Sequence, residues 1–396
     1  MRIKEAIKDK ITGEWGDEDD VGLGVQVLRT TNFTNTGRIS YEKVVKRKIS
    51  NSLIEKKKLL PGDIIIEKSG GSPNQPVGRV VFFDNNNELF LCNNFTAILR
   101  PSERLVPKYF FYDLFYKHLS QVTLKYQNKT TGIINLQLDR YLDEKINVPS
   151  FDKQKQIVQT LDTADTLLQK RREQLNLLDD YLKSVFFEMF GDPVLNDKKW
   201  ETTYLDSVID SIDSGWSPVC LNTQRRSDEI PVILKLGAVT YCYFNPKNHK
   251  VIPANIKIEK RVEVKKHELL FTRKNTKELV AASAFIFDCE RNLLLPDTIF
   301  RLNYKKELVN GIYLWKLFVE EGFRRVIQNL ASGSAGSMPN ISKEKLRKLL
   351  IPIPPLQLQN KFASIVEQVE QTKQKMSASL DEMNNHFNAL MQRYFG

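Results

Sequence analysis

The residues of this chain that could perform catalysis form only fragments of known catalytic patterns. An amino-methyltransferase that uses S-adenosylmethionine needs a glycine-rich loop after its first strand and an Asn-Pro-Pro-aromatic motif. Gly22-Leu23-Gly24 lacks a third glycine, and Phe244-Asn245-Pro246-Lys247 has lysine in place of the second proline. Glu55-Lys56-Lys57 and Glu263-Val264-Lys265 match the end of a nuclease motif, in which carboxylates hold a metal ion. Both lie in basic runs without an upstream metal-binding aspartate. There is no GxxxxGK[ST] phosphate loop, which argues against a motor. His118, His249, His267 and His386 are isolated. Cys92, Cys220, Cys242 and Cys289 form no CxxC pair and are expected as buried or free thiols in a reducing cytoplasm. The expectation is a non-catalytic chain with no cofactor or metal of its own.

What remains is a set of polar side chains suited to binding. Lysine and arginine number 59 against 48 acidic residues, a formal net charge of +11, which suits a polyanion. Lys68, Ser69, Ser72, Asn74 and Gln75 follow one strand-like run, and Arg273, Lys274, Asn275 and Lys277 follow another. A later pair of polar loops carries Gln127, Lys129 and Thr130 in one case and Ser332, Ser334 and Ser337 in the other. Arg29, Arg79 and Lys235 complete the candidate set. Arginine, lysine, asparagine and glutamine read base edges, while small polar residues suit phosphates. Ordinary polar loops have the same composition; their matched placement points toward recognition.

That matching reflects an internal duplication. INVPSFDKQKQIVQTLDTAD, from Ile146, aligns with IPIPPLQLQNKFASIVEQVE, from Ile351, at an offset of 205 residues. At this offset Pro149 falls on Pro354, Gln154 on Gln359, Asn135-Leu136 on Asn340-Ile341 and Phe190-Gly191 on Phe395-Gly396. Behind each copy runs a heptad helix. Ile157, Leu161, Leu168, Leu175, Leu178 and Leu182 mark the first seam, and Phe362, Val366, Val369, Leu380, Phe387 and Leu390 the second. Arg171 and Lys373 interrupt them, either fixing register against a carboxylate such as Glu173 or Glu370 or reaching solvent. About 39 residues at ~1.5 Å rise give a rod of about 60 Å. Two equal helices separated by a domain are most simply paired antiparallel, with a pseudo-two-fold axis.

The expected fold class is therefore two copies of an α/β (α+β) recognition domain, 1–148 and 192–350, separated by a long antiparallel two-helix coiled coil formed by 149–191 and 351–396. Strand-like runs are 25–28, 63–67, 77–83 and 90–91, then 232–236, 268–272 and 281–287. Helix-like stretches cover 107–119 and 310–329. Their aromatics, Tyr109, Phe110, Tyr112 and Phe115, then Tyr313, Trp315, Phe318 and Phe323, are expected in the core rather than stacked on bases. No apolar run approaches the ~18 residues of a membrane span, and the start has no signal-like segment, so a cytoplasmic protein without membrane contact is expected.

In INVPSFDKQ, IPIPPLQLQ, PGDIIIEKSGGSPNQPVGRV and LRTTNF, the chain resembles the specificity (S) subunits of type I restriction-modification systems along essentially its whole length. The second copy departs from the pattern, with KHELLFTRKN in place of the GDIII signature. The resemblance implies two target recognition domains, each reading half of a bipartite, asymmetric sequence in double-stranded DNA. It also implies that two methyltransferase (M) subunits dock on the helices and bring restriction (R) subunits for phage defence. S-adenosylmethionine, ATP and Mg2+ would then serve those partners. A stand-alone DNA methyltransferase or nuclease, or a coiled-coil adaptor of another phage-defence complex, are the alternatives.

Overall fold

The structure, a computed structural model, describes the chain apart from residues 73–74, 131–132, 259 and 334–337, and apart from the side chains of 129, 130 and 260. It forms two compact units, residues 1–172 with 378–396, and residues 173–377. Each unit thus contains one sheet-and-helix domain and a segment of both long helices.

In the first unit, Ile7–Thr12, Thr96–Pro101, Ile64–Glu67 and Val80–Phe82 lie side by side, in that order, in an antiparallel sheet. Ile64–Glu67 is buried along its whole length, as a short unbroken apolar run allows. Helix Pro107–Leu119 starts on a proline, whose missing N–H is harmless in the first turn, and packs on Val80–Phe82. A second sheet orders Asp17–Glu18, Val45–Lys48, Val25–Leu28 and Phe90–Cys92, the last two parallel.

The second unit repeats this plan. Ile209–Ser214, Ile299–Tyr304, Leu269–Thr272 and Ser283–Phe285 form the antiparallel sheet. His249–Val251, Val232–Leu234 and Leu293–Leu294 form the smaller sheet, again with a final parallel pair. Even an irregularity is shared, since the pairing slips between Ile7 and Asp9 and between Ile209 and Ser211.

The structure shortens several expected strands, 232–236 to Val232–Leu234 and 281–287 to Ser283–Phe285 among them, and divides one expected helix. The strand expected over 77–83 is only Val80–Phe82; Gly78, just before it, adopts φ +100°. The single helix expected over 310–329 is two helices, Gly311–Val319 and Glu321–Gln328. Glu320 stops the first with ψ 131° and caps the second, its carboxylate accepting from the Phe323 N–H at 2.7 Å. All eight aromatics singled out in these helices are buried.

Phe151–Phe190 and Leu356–Phe395 are helices of 40 residues each. In the first unit Ile157, Leu161 and Leu168 share a core with Phe387 and Met391, flanked by Leu380 and Leu390. In the second, Leu182, Val185 and Phe186 pack with Phe362, Val366 and Val369, flanked by Leu178. Early residues of one helix meet late residues of the other, so the segments within each unit are antiparallel. Leu175 is half-buried. Lys373 meets Asp179 of the facing helix at 2.6 Å and Glu370 of its own at 3.6 Å. Among the described residues no helix is long and apolar enough to cross a membrane.

A glutamine ties each domain to its helix. Gln154 accepts from the Val106 N–H at 2.8 Å and donates to the carbonyls of Pro149 and Arg104 at 3.0 and 3.1 Å. Gln359 accepts from the Asn310 N–H at 2.9 Å and donates to the Pro354 carbonyl at 2.7 Å. Both glutamines are almost fully buried. Gln359→Ala strands the Asn310 N–H and should cost about 1–3 kcal/mol in urea unfolding. Gln174→Ala, at an exposed helical position, should stay within about 0.5 kcal/mol. Equal effects would show that the buried amide is not a joint.

Candidate nucleic-acid interface

Two segments expected as separate polar loops are strands of one small sheet. Ser69–Gly71 pairs with Ile133–Leu136, which pairs in turn with Gln127–Thr130. Isoleucines 133 and 134 supply the β-forming partner strand, so the polar segments on either side gain a ladder that their own composition does not announce. The Leu136 N–H donates to the Lys68 carbonyl at 2.7 Å, and the Ser69 hydroxyl donates to Asn135 Oδ1 at 2.5 Å. Lys68 is half-buried, and that burial pulls its ammonium below the usual lysine range. Ser72 and Gln75 exchange backbone hydrogen bonds at 2.9 and 3.0 Å and stay exposed. Gln127 donates to the Val77 carbonyl at 3.0 Å.

The second unit gathers its own polar residues around the equivalent asparagine. Arg273 Nε donates to Asn340 Oδ1 at 2.9 Å, while the Ile341 N–H donates to the Arg273 carbonyl at 2.8 Å. Lys274 and Ser332 each form a β-bridge to Asn340. Lys274, Lys277 and Ser332 are exposed. Asn135 and Asn340 therefore do the same work 205 residues apart, and neither was among the expected site residues. The signal that could have found them was the repeat itself, which aligns Asn135-Leu136 with Asn340-Ile341.

Two of the expected contact residues point inward. Arg79 is buried and ion-paired with Glu67 at 2.9 Å. Asn275 is buried, donates to Thr240 Oγ1 at 3.1 Å and accepts from the Thr276 N–H at 2.9 Å. Arg29 and Lys235 occupy equivalent positions just after Val25–Leu28 and Val232–Leu234. Arg29 donates to the Lys43 carbonyl and Lys235 to Asn222 Oδ1, both at 3.1 Å. Asn74, Ser334 and Ser337, and the side chains of Lys129 and Thr130, lie outside the described residues.

No group of three or more His, Cys, Asp or Glu is arranged to hold a metal ion among the described residues. All four cysteines are free. Burial pushes Cys92 up to about 11 and Cys289 up to about 12, so both remain thiols near neutral pH. Burial, with Arg79 nearby, lowers His118 to about 4, which keeps its ring neutral.

The arrangement is a duplicated scaffold that carries exposed polar residues on two equivalent frames. A family model for the type I restriction modification DNA specificity domain matches residues 20–177 and again residues 240–384, and the chain belongs to that family. The family comprises DNA-recognition rather than catalytic subunits. Over 183 residues the chain is 28% identical to the type I restriction enzyme EcoEI specificity subunit of Escherichia coli, covering 44% of this chain and 31% of that protein. The chain thus aligns with under a third of that relative's length. The putative type I restriction enzyme MjaX specificity subunit of Methanocaldococcus jannaschii is 21% identical over 387 residues, covering 93% of this chain and 85% of that one. Among solved structures, the S subunit of a type I restriction-modification system from M. genitalium matches in fold. Its TM-score is 0.58 at 13% identity, over 100% of this chain and 95% of that one.

Asn340→Ala removes the acceptor that holds Arg273. Amide hydrogen exchange over 273–275 and at Ser332 should rise about tenfold, the equivalent of one hydrogen bond of ordinary strength. Exchange at Ser69 should not change. An unaltered profile in the second unit would remove Asn340 from the site.

Proposed function

We propose that this chain reads a bipartite, asymmetric sequence in double-stranded DNA, each recognition domain addressing one half. The carrying observation is a shared frame with different occupants: Asn135 holds Ser69, while Asn340 holds Arg273, which lies one position earlier in the repeat, over Lys68. Two readers of different half-sites need the same support and different side chains. Lys68, Ser69, Ser72, Gln75 and Gln127 belong to the first reader, as do Asn74, Lys129 and Thr130. Arg273, Lys274, Lys277 and Ser332 belong to the second, with Ser334 and Ser337. Arg29 and Lys235 flank them, while Arg79 and Asn275 act from behind.

The long helices are the ruler and the docking surface for two methyltransferase subunits, through which restriction subunits join. S-adenosylmethionine, ATP and Mg2+ serve those partners, and the complex works in the cytoplasm. A helical length of about 60 Å and a base-pair rise of ~3.4 Å suit half-sites about one to two turns apart.

Deleting one heptad from each helix should shorten or abolish the accepted spacer; an unchanged methylation pattern would contradict the ruler. Mapping methylated adenines in the host genome with and without this gene tests the function itself. Loss of one split motif is expected, and no change would overturn it. Methylation or cleavage by the purified chain alone would favour a stand-alone enzyme.

A further inference from the structure

The buried Arg79 lies where the polar segment of the first domain meets the rest of its sheet. Glu67 ends strand Ile64–Glu67, directly before Lys68. Arg79 grips this carboxylate with a fork, Nε to Oε2 and Nη2 to Oε1, both at 2.9 Å. The same guanidinium donates to the carbonyls of Thr30 at 3.1 Å and Phe33 at 3.2 Å. Those two carbonyls flank the turn Thr30–Asn32, which follows Arg29. Asn32 fastens the other side of this segment, donating to the carbonyls of Ser40 and Glu42 at 3.0 and 3.1 Å. One buried cation therefore joins two separate stretches of candidate DNA-facing residues.

Two features keep the cation aimed. Gly78 takes φ +100°, and a Cβ there would meet Thr123 Cγ2 at 2.8 Å, so only glycine brings the chain into Arg79 at this approach. The neighbouring His118 ring is neutral and places no second positive charge beside the guanidinium.

The second domain solves the same position without charge. The Glu67 N–H donates to the Arg79 carbonyl, and the Thr272 N–H donates to the Ala282 carbonyl, so Thr272 and Ala282 occupy the equivalent sites. There the link to the neighbouring segment is neutral, from Asn275 to Thr240.

We infer that Glu67 and Arg79 are a positioning pair that locks residues 29–34 and 68–72 into one rigid reader and so sets the stringency of the first half-site. The pair touches no base. This role rests on the proposed reading of DNA, but its mechanical part does not.

The test uses the full chain with Glu67→Thr and Arg79→Ala combined, which installs the second domain's residues and leaves no lone buried charge. Arg79→Lys is the second variant; it keeps the charge but loses the fork, and it decides the matter should the first not fold. Hydrogen exchange over 29–34 and 68–72 should rise together by about tenfold, with 273–277 unchanged. In the assembled methyltransferase, methylation at sites mismatched in one half should rise by about tenfold relative to matched sites, with the other half unaffected. Faster exchange in 68–72 alone would overturn the pairing. So would a uniform loss of methylation with unchanged mismatch tolerance, which is what a merely structural role produces. If the unsubstituted chain directs no split-site methylation, the DNA reading fails, and the exchange data still judge the clamp.

Discussion

A buried side-chain amide at the start of each long helix is the interaction on which both units depend. Gln154 and Gln359 sit where a proline-containing segment turns into a helix, and there each satisfies backbone groups on both sides of the joint. In a low-dielectric interior such bonds are directional and expensive to leave unmade, so they fix an orientation that apolar packing alone would leave loose. Tyrosine hydroxyls reinforce them, Tyr109 donating to the Asn147 carbonyl and Tyr313 to the Pro352 carbonyl. Aromatic packing follows from this alignment, Tyr112 against Phe387 in one unit and Tyr313 against Phe190 in the other.

Above the joint, the two domains share what supports them and differ in what they present. Each main sheet holds an arginine between carboxylates, half-buried in the first domain and buried in the second. Arg100 lies with Asp63 and Asp9, and Arg301 with Glu268 and Asp213. Removing one partner from such a cluster leaves an uncompensated charge, so all its members are constrained together. The polar sheet is held instead by its asparagine and, in the first domain, by the Glu67–Arg79 pair. Serine faces Asn135 and arginine faces Asn340, and the ion pair of Glu67 and Arg79 gives way to Thr272 and Ala282.

The parts of this structure legible in the sequence were those written as periodicity. Heptads over Ile157–Leu182 and Phe362–Leu390 announce long helices because every fourth or third side chain must be buried. The duplication is visible because Ile146, Pro149 and Gln154 recur as Ile351, Pro354 and Gln359 at one offset, ahead of helices of equal length. The small sheet of Ser69–Gly71, Ile133–Leu136 and Gln127–Thr130 was not legible, because its two polar strands, Ser69–Gly71 and Gln127–Thr130, carry no apolar alternation. Arg79 and Asn275 read as surface groups, since sequence does not distinguish a paired, buried polar group from a solvated one. The break at Glu320 was hidden by an apolar pattern that runs through two helices with one shared face.

The central claim is that two independent readers stand on one duplicated frame. It is tested most directly by binding the assembled methyltransferase complex to DNA libraries randomised in one half-site at a time, comparing the unsubstituted chain with a Lys274→Ala, Lys277→Ala double variant. The account predicts that only one half-site's base preferences change, while the other half retains its profile. A change spread across both halves, or no change in either, would contradict it.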